Sequence, residues 1–238
     1  MIAMRGQSIA IDRLTIKLPG LWQQSLFVGL AVALMILMGL QAGTARAGTI
    51  AYVVPAGTVG NQGYTGGLGM DFNVNQTIAI TDLGVFDSSS NGLSSPITAA
   101  IYDRNNTATP LAQLVFATGV GDVLIDGSRF KSLSAPLILS AGFQGSIVAH
   151  GYDLGEPNGN IPVLWSTDSG GGALSFVGGG RFHPTPGIYP TVIDGGPANR
   201  YAAGTFMFEV VPEPASLAVL AIGLAGLGAL RRRRSRTA

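Results

Sequence analysis

Apolar residues in the middle of this 238-residue chain recur with period two. No segment between residues 48 and 211 shows the 3.6-residue period that an amphipathic helix needs. Met70, Phe72 and Val74 alternate with Asp71, Asn73 and Asn75; Phe206, Phe208 and Val210 alternate with Thr205, Met207 and Glu209. Such alternation puts one face of a strand on a core and the other in a polar setting, as antiparallel sheets packed face to face require. Strands are expected at 49–54, 69–74, 77–86, 97–103, 111–118, 130–133, 136–140, 146–152, 163–166, 173–177 and 205–211. Asn91-Gly92, Asp126-Gly127, Ala141-Gly142 and Asn158-Gly159 mark turns between them. About ten short strands in a segment of this size predict an all-β fold, an antiparallel β-sandwich of jelly-roll type.

The rest of the chain is of another kind. Near the N-terminus, Arg13 and Lys17 precede an apolar stretch at 26–40, and Ala45-Arg46-Ala47 places small residues before Gly48. That order of basic, apolar and small residues predicts a signal peptide over 1–47, exported by the Sec machinery because no twin arginine is present. At the other end, Val-Pro-Glu-Pro at 211–214 leads into an uncharged apolar run at 215–230, followed by Arg231, Arg232, Arg233 and Arg234. Pro212 and Pro214 fix φ and lack an N–H, and Pro214 pushes Glu213 toward an extended backbone, so a protease can grip this segment. The run at 215–230 would make a helix of about 24 Å, short of a hydrocarbon core of about 30 Å, with the difference met by thinning and snorkelling arginines. The arginines orient such a helix with its C-terminus in the cytoplasm, which puts 48–211 outside the inner membrane.

Pro212-Glu213-Pro214, the apolar run and the arginine stop together resemble the PEP-CTERM sorting signal of Gram-negative bacteria that make exopolysaccharide. The resemblance implies an exosortase that recognises Pro212, Glu213 and Pro214 and cuts near them. It implies a protein transiently held in the inner membrane and then placed at the cell surface or in the extracellular matrix. A second likeness covers roughly 69–149. Gly-Met-Asp-Phe-Asn-Val at 69–74, Ile-Thr-Asp-Leu-Gly-Val-Phe-Asp at 80–87, Ile-Tyr-Asp at 101–103, Phe-Lys-Ser-Leu at 130–133 and Pro-Leu-Ile-Leu-Ser-Ala-Gly at 136–142 are similar to a β-sandwich module that recurs in PEP-CTERM proteins. It implies a fold and no activity. The final strand runs into Pro212 with no linker, so an accessible cleavage segment predicts that strand at a sandwich edge.

Charge and composition narrow the function of 48–211. The segment holds five basic and eleven acidic residues, a net charge of −6, although the whole chain is +1. Nucleic acid, which needs a basic face, is not an expected partner. With no cysteine in the chain, thiolate zinc sites and cysteine nucleophiles are excluded. The two histidines, His150 and His183, lack a nucleophile motif; Asp153 or Asp168 would be the orienting acid of a triad built on His150. Asp82/Asp87 and Asp122/Asp126 are the candidate carboxylate pairs for a hydrolase. Asp122 and Asp126 with neighbouring glycine carbonyls are the candidate calcium ligands, although no D-x-D-x-D-G loop is present. Gly178-Gly179-Gly180 is not a phosphate loop, since no G-K-[ST] ending follows. The Gly- and Pro-rich loops of 151–204 carry Trp165, Arg181, Tyr189 and Tyr201, the candidate contacts to an acidic polysaccharide. The expectation is a non-enzymatic surface or matrix protein, structural or adhesive in exopolysaccharide and biofilm, without a catalytic residue, metal or other cofactor. A carbohydrate-binding module using 151–204 is the alternative, and a secreted hydrolase the third reading.

Overall fold

The computed structural model describes residues 48–161 and 165–212. The expected signal helix of 1–47 lies outside these residues, as do Glu213, Pro214, the apolar run at 215–230 and Arg231–Arg234. No helix among the described residues is long and apolar enough to cross a membrane. The strands are β1 (Thr49–Ile50), β2 (Tyr52–Val53), β3 (Gly67–Val74), β4 (Ile78–Phe86), β5 (Ile97–Asp103), β6 (Ala112–Phe116), β7 (Val123–Ile125), β8 (Ser128–Leu139), β9 (Gln144–His150), β10 (Gly159–Asn160), β11 (Ser166–Thr167), β12 (Leu174–His183), β13 (Val192–Ile193), β14 (Tyr201–Ala202) and β15 (Gly204–Val210).

Two antiparallel sheets form the body. One has the order β1-β15-β4-β8-β7, the other β13-β12-β3-β9-β5-β6. Four of the pairings nest in sequence: β5 with β6, β4 with β8, β3 with β9 and β1 with β15. Nested pairs are those of one long hairpin. Folding that hairpin across two layers gives the expected jelly-roll connectivity. β12 is an insertion between β9 and β15 that extends the six-stranded sheet beyond β3.

Period-two patterning explains the core. Leu68, Met70, Phe72 and Val74 of β3 face Ile78, Ile80, Leu83 and Val85 of β4 and Phe206 and Phe208 of β15, all nearly inaccessible to water. The Phe72 and Phe206 rings meet from opposite sheets with centroids 4.9 Å apart. The second face of β3 is also covered: Asp71 is buried, because Arg181 and Tyr189 close over it.

Several boundaries differ from expectation. The two strands expected at 130–133 and 136–140 are one strand, β8, with a register shift opposite Ile80–Asp82. Pro136 is accommodated at that irregularity, where a missing N–H leaves no ladder bond unmade. Asn158-Gly159 is not a surface turn: Asn158 is fully buried, and its carbonyl accepts the N–H groups of Asn61 and Gln62. Asp126-Gly127 does form the tight β7–β8 turn, with Asp126 at φ 50°. Asp tolerates this left-handed backbone better than most residues. Strand β15 is not an edge strand, because β4 pairs with its whole length and β1 with Met207 and Phe208.

A buried ion pair ties β8 to the end of β4. Arg129 Nε lies 2.7 Å from Asp87 Oδ2, and both residues are almost wholly inaccessible. Asp87 also accepts the Gly92 N–H, and the Arg129 guanidinium donates to the Asp122 carbonyl. Removing one partner strands the other charge in a dry setting. Arg129→Met is therefore expected to cost about 3–5 kcal/mol in urea unfolding. Ile138→Ala, at an exposed strand position, should stay within about 0.5 kcal/mol.

Candidate functional site

The exit of the last strand is the first functional feature. The Val211 N–H donates to the Thr77 carbonyl at 2.9 Å, one residue beyond the ladder of β15 with β4. Pro212, the next residue, is exposed. On its opposite side β15 pairs with β1 at Met207 and Phe208, and the Ala51 N–H donates to the Phe206 carbonyl. The accessibility that the sequence reading sought from an edge strand comes instead from a ladder that stops at Val211 and a proline that cannot extend it. The same end of the sandwich carries the 75–77 link and the β8–β9 turn, where the Gly142 N–H donates to the Val74 carbonyl. Pro212 thus leaves directly from a hydrogen-bonded rim.

Most of the polar candidates are held in local contacts. Asp82 accepts the Ser132 hydroxyl at 2.6 Å, whereas Asp87 is buried on Arg129, so this pair does not meet. Asp122 lines a shallow groove with Asp82 and Lys131, a grouping the sequence did not suggest. Asp126 sits in the turn beyond β7. Among the described residues no three His, Asp or Glu side chains gather in a metal-holding group. Asp153 accepts the Ser95 hydroxyl and the N–H groups of Gly155 and Glu156, and the Ser95 bond leads in holding its carboxyl below the usual range. Asp168 accepts the Gly170 N–H. His150 is half-buried, which lowers its pKa, and His183 Nδ1 accepts the Thr185 N–H at 3.1 Å.

The four residues singled out in 151–204 do not share one surface. Arg181 and Tyr189 belong to the outer face of the six-stranded sheet. There Arg181 Nε binds Asp71 at 2.7 Å, and Tyr189 is buried against Tyr102 with its hydroxyl 3.0 Å from Ser146 Oγ. Trp165 packs on the core and donates its indole N–H to the Asn199 carbonyl. Tyr201 lies elsewhere, in the floor of a cleft of about 230 Å³ lined also by Gln62, Tyr64, Leu68, Phe182 and Asp194.

That cleft is built by the triple glycine. The register of β12 on β3 slips between Val177 and Gly180, and Gly178 sits at φ 67° in the bulge. A Cβ on Gly179 would lie 2.0 Å from the Asp194 carbonyl oxygen, and one on Gly180 would lie 2.3 Å from the Tyr201 ring. The bare backbone lets the 194–201 segment lie against β12, pinned by the Asp194 N–H to the Gly180 carbonyl at 2.7 Å. Asp194 Oδ2 accepts the Tyr201 hydroxyl and lies 2.9 Å from Arg200 Nε. Burial, then the Asp194 carboxylate, push the Tyr201 pKa far up, so it stays a neutral donor. Tyr64 and Phe182, both partly exposed, meet edge to face at 6.3 Å. The sequence reading missed Gln62 and Tyr64, which precede β3 and reach the cleft only through the fold.

A family model described as the PEP-CTERM protein-sorting motif matches residues 210–234. The chain carries a PEP-CTERM sorting signal. The match begins at Val210, the last residue of β15. It supports an exported protein that an exosortase processes and that is sorted to the cell surface. No curated protein matches the chain.

Two outcomes are expected. Gly179→Ala should destabilise the protein by about 1–3 kcal/mol through overpacking against Asp194, read as a lowered thermal midpoint. A Gly-Ser-Gly-Ser linker placed between Val211 and Pro212 should speed processing, followed by pulse labelling, because it frees the backbone before the proline from the Thr77 carbonyl. An unchanged rate would mean that Pro212 is fully accessible as it stands.

Proposed function

We propose that this PEP-CTERM protein is a non-enzymatic component of the cell surface or extracellular matrix, structural or adhesive within exopolysaccharide and biofilm. In this reading the Sec machinery carries 48–211 across the inner membrane of a Gram-negative cell. The 215–230 segment holds the precursor there, with Arg231–Arg234 on the cytoplasmic side, until the exosortase acts at Pro212-Glu213-Pro214. The observation that carries the proposal is the sorting motif joined without a linker to a folded jelly roll. The polar residues weighed for catalysis support the structural side: Asp87, Asp153 and Asp168 serve an ion pair and turns.

A second reading, carbohydrate binding by the 151–204 loops, has one observation in its favour. Phe182, Asp194 and Tyr201 from that stretch line a single cleft with Gln62 and Tyr64, one that combines aromatic rings with polar groups.

Intact mass of the protein recovered from cells tests the sorting half. The wild type is expected to end near residue 214, and the variant with Pro212, Glu213 and Pro214 changed to alanine to keep Arg231–Arg236. A wild-type mass that still includes those arginines would make the protein a permanent membrane-anchored domain and remove the support for a matrix role.

A further inference from the structure

We propose that the cleft between Tyr64 and Asp194 is a subsite for one neutral pyranose ring of a glycan chain. The proposal rests on the carbohydrate-binding reading and goes beyond it in the contact residues, ligand charge and ligand size.

Charge decides the ligand class. Residues 48–211 carry five basic side chains, and each is engaged within the fold. Arg181 binds Asp71, Arg129 binds Asp87 and Arg200 binds Asp194. Arg104 donates to Asn73 and the Phe72 carbonyl, and Lys131 to the Val115 carbonyl. With a net charge of −6 and each cation already in contact within the fold, a uronate or sulfated polymer meets net repulsion. A neutral sugar meets none.

The lining matches the two-sided chemistry of a pyranose, which has an apolar face of C–H groups and a rim of hydroxyls. Tyr64, Phe182 and Leu68 supply apolar surface. The aromatic rings carry negative π faces suited to such C–H groups. Gln62 turns its carbonyl oxygen to the side chains of Asn158 and Asn160, at 3.0 and 3.3 Å, which leaves its amide N–H groups for a ligand. Asp194 commits Oδ2 to Tyr201 and Arg200, and Oδ1 remains as an acceptor. The carboxylate is thereby oriented, with Oδ1 placed to accept from an uncharged hydroxyl. At about 230 Å³ the cleft is below the roughly 300–1,000 Å³ typical of sites that enclose a drug-sized ligand. It therefore takes one ring, with the chain continuing outside.

Its position suits a polymer. Leu68 lies in the cleft and Val74 at the rim beside the exit, six residues apart on β3, or about 20 Å. The cleft therefore lies at the end of the sandwich opposite Pro212.

The test uses processed protein recovered from cells, titrated by calorimetry and by protein NMR. Neutral probes are oligomers of glucose, mannose, galactose and N-acetylglucosamine; acidic probes are oligogalacturonate and alginate. The expected result is saturable binding of at least one neutral oligomer and none of the acidic ones. Tyr64→Ala and Phe182→Leu should each weaken it at least tenfold with an unchanged fold by circular dichroism. Ile138→Ala, on the other sheet, should leave it unchanged. Binding of acidic oligomers alone would overturn the neutral subsite while sparing the carbohydrate reading. Binding of no oligomer would overturn both. Neutral binding that survives both Tyr64→Ala and Phe182→Leu would overturn the placement.

Discussion

Face-to-face packing of two apolar sheet surfaces, centred where Phe72 of β3 meets Phe206 of β15, is the constraint on which the rest of this structure depends. Phe72 lies between the inserted β12 and the hairpin partner β9, and Phe206 lies in the strand that leads to the sorting signal. One contact thus couples the loop-bearing edge of the domain to its exit. Fully burying such a ring contributes about 1.5–3 kcal/mol each, and the aromatic pair adds roughly 0.5–1.5 kcal/mol. A last strand held this way stays hydrogen-bonded up to Val211, directly before Pro212.

Polar groups set the details that hydrophobic packing leaves open. The Arg129–Asp87 pair fixes how the β8 hairpin meets the end of β4. The Thr205 hydroxyl, fully buried, accepts the Tyr52 N–H at 3.2 Å and donates to the Tyr52 carbonyl at 2.9 Å, joining the short β2 segment to the core strand. Glu156 accepts the N–H groups of Ser88 and Ser94, and its burial raises the carboxyl pKa. These bonds satisfy backbone donors that loops at the closed end of a sandwich would otherwise leave unpaired. Several of the domain's acids are thus consumed inside the fold.

Much of the fold was legible in the sequence. The alternation at 69–74 and 205–211 identified the inner faces of β3 and β15, and β5 matched its expected bounds of 97–103. β7, β10, β13 and β14 were missed because strands of two or three residues hold too few positions to show a period. Splitting β8 at Pro136 followed a sound local rule, which a bulge overrode. The candidate cleft was less legible. Tyr201 was singled out with the other aromatic and arginine residues of 151–204, but Arg181 and Tyr189 stand on another face and Trp165 is packed inward. Gly178-Gly179-Gly180 stood out in the sequence, but its role as a bulge admitting the 194–201 segment depends on which segment lies beside it.

The sequence by itself determined the all-β class, the acidic charge of the domain and the sorting signal. Each is a local property: a period, a count, or a short ordered string of prolines, apolar residues and arginines. Tertiary structure alone decided which side chains share a surface. Period two assigns a residue to a face, but only the nesting of β1 with β15 and β3 with β9 says what lies across from it. Tyr64 and Asp194 are 130 positions apart in the chain. They line one cleft because a glycine bulge in β12 allows one backbone to approach another, a contact between distant segments that no local pattern encodes.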